Sequence, residues 1–195
     1  MPKLGAEPIR RAALVKAAIA TVGEAGSLDV TVAQIARRAG MSSALAHHYF
    51  GSKDQIFLAA MRQILADFSA EVRAGLARAD GPRARLAAVV AASFAPVNFR
   101  PEVIGAWMTF YGLAQSDDGA RRLLVIYHRR MRSTLMHDLR PLVGARAAVV
   151  AEGIGALIDG MYLRAAIAPG AAGAARDLVM GHLAREIAPK QGDRA

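Results

Sequence analysis

Cysteine is absent from this 195-residue chain. Disulfides, thiolate metal sites and cysteine nucleophiles are thereby excluded, and the composition suits a reducing compartment. Aromatic residues are scarce at 6 %, with one Trp, four Tyr and six Phe. Uncharged apolar runs of membrane length are missing too. The nearest candidates, residues 86–99 and 103–116, fall short of the roughly 18 residues a span needs, and they contain Pro96, Asn98 or glycine. The N-terminal MPKLGAEPIRRAA has no apolar signal core, so the expectation is a cytoplasmic protein with no membrane attachment. Catalytic constellations are equally lacking. There is no phosphate-cradling glycine loop, no G-x-S-x-G elbow and no paired-carboxylate arrangement. His47 and His48 are adjacent and point apart on a helix, while His128, His137 and His182 lack the i, i+4 spacing of a helical metal site. The expectation is a protein that is not an enzyme and has no metal and no cofactor.

Acidic residues are the minority: 16 Asp and Glu face 25 Lys and Arg, a formal net charge of +9. Such an excess favours polyanionic partners, because neutralised phosphates release counterions. It is not concentrated, since residues 1–62 hold eight basic against four acidic residues and the remainder 17 against 12. Placement, not total charge, has to carry any nucleic-acid assignment.

Placement is clearest in TVAQIARRAGMSSALAHHYFGSK, Thr31 to Lys53. Thr31 with Gln34 forms a capping box that satisfies N–H groups at a helix start. Val32, Ile35 and Ala36 recur at helical spacing, Arg37 and Arg38 suit the negative end of the dipole, and Gly40 suits a left-handed cap after about Ala39. Met41 sits in the turn. Ser42 or Ser43 then caps a second helix over Ala44 to Phe50, closed by Gly51. Leu45 and Tyr49, four apart, dock it onto the domain. Ser42, Ser43, Ala44, His47 and His48 face outward, where a recognition helix reads base edges, and Arg38 and Lys53 are placed to reach phosphates. Thr31 and Tyr49 complete the candidate DNA-contacting set. The competing reading is a helical hairpin in an all-α core.

At these residues the chain resembles the TetR family of transcriptional repressors. The matching pieces are Thr31, Ile35, Ala36, Ala39 and Gly40, then His48, Tyr49, Phe50 and Lys53. The resemblance implies a homodimer whose N-terminal domains bind a double-stranded DNA operator with inverted-repeat symmetry. It also implies C-terminal domains that bind a small-molecule effector and each other. A second set of matches, MPKLG, IRR at 9–11, AQIARRAG at 33–40, and ALIDG followed by LRAA within 156–166, resembles the branch of that family controlling conversion of choline to glycine betaine. It implies choline as inducer. Tyr162 departs from that pattern, which has Trp there, and residues 80–118 are not closely recognisable.

Around the motif, Ile9, Ala13, Leu14, Ala17, Ala18 and Ala20 give a buried stripe to a first helix ending near Val22. Arg10 and Arg11 read either as DNA-backbone contacts or as a solvated basic face. Ser52 with Gln55 opens a long helix, Lys53 to about Arg78. Further helices are expected over Arg83–Ala95, Pro101–Gln115, Asp118–Arg140, Arg146–Ile167 and Ala172–Ile187, punctuated by Pro96, Pro101, Pro141 and Pro169. No strand or hairpin signal appears. The expected fold is all-α, about nine helices, with a three-helix helix-turn-helix domain over residues 1–62, an effector-binding and dimerisation domain over 63–190 and a tail over 191–195. Small residues on the last two helices, Ala147, Ala148, Ala151, Gly155, Ile158 and Gly181, Leu183, Ile187, suit either a symmetric four-helix dimer interface or ordinary internal packing.

Most aromatics follow residue 80. Phe94, Trp107, Phe110, Tyr111, Tyr127 and Tyr162 are candidate ligand contacts, because an aromatic cage holds a quaternary ammonium that has no N–H to donate. Asp159, or Glu152, is a candidate counter-charge. Core packing explains the same spacing. The rival functions are a repressor of efflux or catabolic genes sensing another hydrophobic or cationic molecule, and a non-sensing architectural DNA binder.

Overall fold

A computed structural model describes residues 6–168 and 172–188. The MPKLG match, Pro169 and the tail from Pro189 lie outside the described residues. Among the described residues there are nine α-helices and no strand: α1 (Ala6–Ala25), α2 (Val32–Arg38), α3 (Ser43–Phe50), α4 (Lys53–Arg78), α5 (Gly81–Ser93), α6 (Pro101–Leu113), α7 (Asp118–Val143), α8 (Ala147–Ile167) and α9 (Ala172–Glu186). A 3-10 turn over Gly144–Arg146 joins α7 to α8.

Local chemistry sets most boundaries. The Thr31–Gln34 capping box forms in both directions, with the Thr31 N–H donating to Gln34 Oε1 at 2.6 Å and the Gln34 N–H to Thr31 Oγ1 at 3.2 Å. Ser42, not Ser43, is the N-cap of α3. Gly40 and Gly51 take positive φ of 68° and 76°, as the turns around α3 demand. Asp117 accepts from the Ala120 N–H at 2.7 Å and starts α7. One expected stop fails: α7 runs through Pro141 to Val143. Pro141 removes a single N–H near the helix end, and Leu142 and Val143 complete the final turn before Gly144, at φ 56°, breaks it.

The chain forms two compact units, Met1–Asp67 with Arg100–Leu124, and Phe68–Phe99 with Val125–Ala195. These units cut the chain differently from a division at residue 62, because α6 joins the first unit. There α1 packs along α6. The two backbones meet at Gly23 and Gly105: a Cβ on Gly23 would lie 2.0 Å from the Glu102 carbonyl oxygen, and one on Gly105 would lie 2.3 Å from that of Gly23. Leu14, Ala18, Ile35, Ala36, Ala46, Ile56, Phe57 and Phe110 are fully or almost fully buried. Ile9, expected in the buried stripe, is 72 % exposed, since α1 turns that face outward in its first turns.

In the second unit α8 packs against α9, burying Ile154, Ile158, Val179 and Leu183. Arg85 donates to Asp138 Oδ1 at 2.8 Å, joining α5 to α7, while Asp138 Oδ2 is buried without a partner. Arg146 pairs with Glu186. The small residues Ala147, Ala151, Ile158, Leu183 and Ile187 are buried within this unit, so they serve internal packing. A different stripe of α8 faces outward, with Val149 69 %, Leu163 53 % and Ile167 79 % exposed, and Leu178 of α9 is exposed as well. Residues 118–167 contain a window long and apolar enough to cross a membrane, and only 28 % of it is buried. Glu152 and Asp159 interrupt the α8 part of that stretch.

Candidate nucleic-acid interface and effector site

The α2–turn–α3 hairpin is built as its residues dictate. Ile35 and Ala36 anchor α2, and Ala46 with Tyr49 anchors α3, while Leu45 is only half-buried. Ala46 thus takes the docking place expected of Leu45. Ser42, Ala44, His47 and His48 are exposed and Ser43 is half-buried, which leaves small side chains at the N-terminal end of α3 and imidazoles at its far end. The Ser42 hydroxyl accepts from the Leu45 N–H at 3.3 Å, and His47 Nδ1–H donates to the Gly51 carbonyl at 2.8 Å. His48 stacks obliquely on Tyr49, centroids 5.5 Å apart.

Several candidate contacts have partners inside the first unit. Arg38 makes a two-pronged pair with Glu24, at 2.5 and 2.6 Å. That hydrogen bond lowers the Glu24 pKa and raises that of Arg38. Lys53 Nζ donates to the Leu28 carbonyl at 2.5 Å, a contact that fastens the start of α4 to the loop before α2. Tyr49 is buried, and Arg10 donates to its hydroxyl at 3.5 Å. Arg11 pairs with Glu7 at 2.8 Å and lies over the rings of Tyr49 and Phe50 at 5.5 and 5.1 Å. Both N-terminal arginines therefore brace α3. Thr31 is exposed, its hydroxyl committed to the cap.

The candidate ligand residues fall into three groups. Trp107, Phe110 and Tyr111 lie in the first unit: Trp107 sits 5.9 Å from each of the other two ring centroids, and Phe110 packs edge-on against Phe57. In the second unit, Phe94, Phe99 and Tyr162 pack closely, with centroids 4.9 to 6.3 Å apart. The Tyr162 hydroxyl donates to the Ser93 carbonyl at 2.5 Å, and burial, with the Asp159 charge adding, pushes its pKa up. This trio is core with a satisfied hydroxyl. The third group surrounds an open cleft of about 140 Å³ between α7 and α8, lined by Tyr127, His128, Met131 and Arg132 from α7 and by Glu152 and Asp159 from α8; its remaining lining is alanine and glycine. Tyr127 packs edge-on against Phe68. His128, Met131 and Arg132 carry no sequence signal for a site, because only the α7–α8 packing brings them beside Asp159. Among the described residues no cluster could hold a metal ion.

Comparison with known proteins places these features in a family. Residues 14–60 match the model for bacterial regulatory proteins of the tetR family, and residues 82–188 match that for the C-terminal part of BetI-type transcriptional repressors. The HTH-type transcriptional regulator BetI of Brucella anthropi is 52 % identical over 178 residues, covering 89 % of this chain and 92 % of its own. BetI of Agrobacterium fabrum is 54 % identical over 165 residues, 84 % and 80 % of the two chains. A solved transcriptional regulator from Saccharomonospora viridis in complex with choline shares the fold, with a TM-score of 0.82 over 92 % of this chain and 98 % of its own at 22 % identity. The chain belongs to the TetR family of transcriptional regulators, with a C-terminal domain of the BetI type.

Proposed function

We propose that this repressor governs genes for choline uptake and for choline conversion to glycine betaine, with choline as the inducer. The observation that carries the reading is the 52 % identity to BetI over nearly the full chain; the choline-bound fold neighbour agrees with it. In this reading the protein acts in the cytoplasm on an inverted-repeat operator. Ser43, Ala44, His47 and His48 enter the major groove from the exposed side of α3. Arg38 and Lys53 act from the rim, Arg38 by exchanging Glu24 for a phosphate.

Two copies associate through the outward stripe of α8 and Leu178 of α9, since exposed apolar residues in a row mark an association surface. Choline prefers one conformation of the C-terminal domains, and that conformation spaces the paired recognition helices wrongly for the operator. Fluorescence anisotropy of a labelled duplex from upstream of the protein's own gene, at fixed salt, tests this. Binding about three orders of magnitude tighter than to random DNA, weakened by choline, supports the reading. Tight binding indifferent to choline overturns the inducer and keeps the repressor.

A further inference from the structure

We propose that the outward face of α7 docks on an anionic phospholipid surface, its arginines meeting headgroup phosphates and two aliphatic side chains entering the layer beneath. The face lies within the second unit, between Val125 and Arg140. Met131, Leu135, Asp138 and Leu139 fill the inner side of the helix. Ile126, Arg129, Ser133, His137 and Arg140 recur three or four residues apart and are all exposed, so they form one continuous outer stripe. Val125 and Arg130 flank it, exposed as well. At 1.5 Å per residue this face runs about 22 Å along one helix, long enough to lie on a plane.

Charge selects the class of partner. From Val125 to Val143 the only acid on α7 is Asp138, which is buried and held by Arg85. Arg132 is engaged by Glu152. The guanidinium groups of Arg129, Arg130 and Arg140 have no ion-pair or hydrogen-bond partner among the described residues. Unneutralised arginines on one face attract a polyanion, and a guanidinium suits phosphate because it binds through two N–H groups at once. Val125 and Ile126, 40 % and 43 % exposed, decide between polyanions. A nucleic-acid backbone offers them only hydrated phosphate. A helix lying on a bilayer sinks its apolar groups roughly 5–10 Å into the headgroup–acyl boundary, while arginine stems keep their charges at the phosphate level. The chain has no apolar run of membrane length, but adsorption needs one amphipathic face and no span. Two aliphatic groups anchor weakly, so docking depends on anionic lipid and is reversed by salt. Docking of this kind is independent of the choline reading.

Co-sedimentation of the full chain with vesicles of phosphatidylglycerol and phosphatidylcholine in equal parts, at fixed low salt, tests the proposal against vesicles of phosphatidylcholine alone. The protein is expected to sediment with the mixed vesicles, to ignore the neutral ones and to be released by added salt. Each arginine neutralised should cost about fivefold in partition, so the triple variant Arg129→Gln, Arg130→Gln, Arg140→Gln should lose about a hundredfold. A control with the same change in net charge, Arg62→Gln, Arg73→Gln and Arg78→Gln on the exposed side of α4, should lose less than about fivefold. Val125→Ser with Ile126→Ser should cost about threefold or more, as apolar area is then left out of the layer. Unchanged helicity and melting temperature in each variant separate a lost contact from a lost fold. Equal losses in the two arginine variants would reduce the effect to net charge and overturn the face. Binding to neutral vesicles as tight as to anionic ones, or indifference to the two serines, would overturn the lipid assignment. Failure to sediment with anionic vesicles, joined to a loss of affinity for random-sequence duplex in the α7 arginine variant, would assign the face to nucleic acid instead.

Discussion

His48 is exposed on α3 and its ring touches only the neighbouring Tyr49 among described aromatic contacts. Its replacement should therefore be felt by DNA and not by the fold. His48→Ala is expected to lower operator affinity by roughly tenfold, within the 1–3 kcal/mol of a base contact, with melting temperature and choline affinity unchanged. Tyr162 is the opposite kind of residue. Its phenol is buried and its pKa is raised, so the folded state holds the proton where the unfolded chain releases it. That contribution to stability is complete below about pH 10, the ordinary tyrosine value, and is lost as pH rises through the folded value. Tyr162→Phe should flatten the alkaline limb of a denaturation–pH profile. At neutral pH it should cost about 1–3 kcal/mol, because the buried Ser93 carbonyl loses its donor. The Glu24 carboxylate has the reverse sign. Arg38 holds its pKa down, so its contribution is present above the ordinary glutamate value and fades as pH falls through the folded one.

Helix pairs decide what single residues cannot. The Gly23–Gly105 crossing sets backbone against backbone, leaving no side chain free to swing aside. Gly105→Ala should destabilise the protein by about 2 kcal/mol or more, read as a lower urea midpoint, despite the better helix propensity of alanine. How much was legible in the sequence follows the same division between near and far. The α2–α3 hairpin was readable because its caps and left-handed glycines act within four residues. The α4 helix, Lys53–Arg78, fell where it was expected, opened by the Ser52–Gln55 signal. The partner of Arg38 lies 14 residues away and that of Arg85 lies 53 away, so no local pattern announces either. For the same reason aromatics at helical spacing could not be sorted into core and cleft: Trp107 on α6 and Tyr127 on α7 each sit within a helix and belong to different units.

At the scale of the assembled molecule, the outward stripe of α8 makes a sharp demand. If Val149, Leu163 and Ile167 meet a second copy, a charge placed there must be buried on association. Leu163→Glu should yield a helical monomer by analytical ultracentrifugation and a large loss of operator affinity, because each half-site is then bound alone. Operator affinity should also fall steeply with salt, the slope reporting the phosphates neutralised.

The hydrogen bond from His47 to Gly51 carries one more chemical consequence. A carbonyl oxygen can only accept, so the proton of a neutral His47 ring is fixed on Nδ1. The other nitrogen, Nε2, is left as a bare lone pair. Such an atom pairs with a donor, as the exocyclic amino group of adenine or cytosine is, and is repelled by an acceptor such as guanine O6 or a phosphate oxygen. A single intramolecular bond thus makes the outward edge of a neutral His47 ring an acceptor.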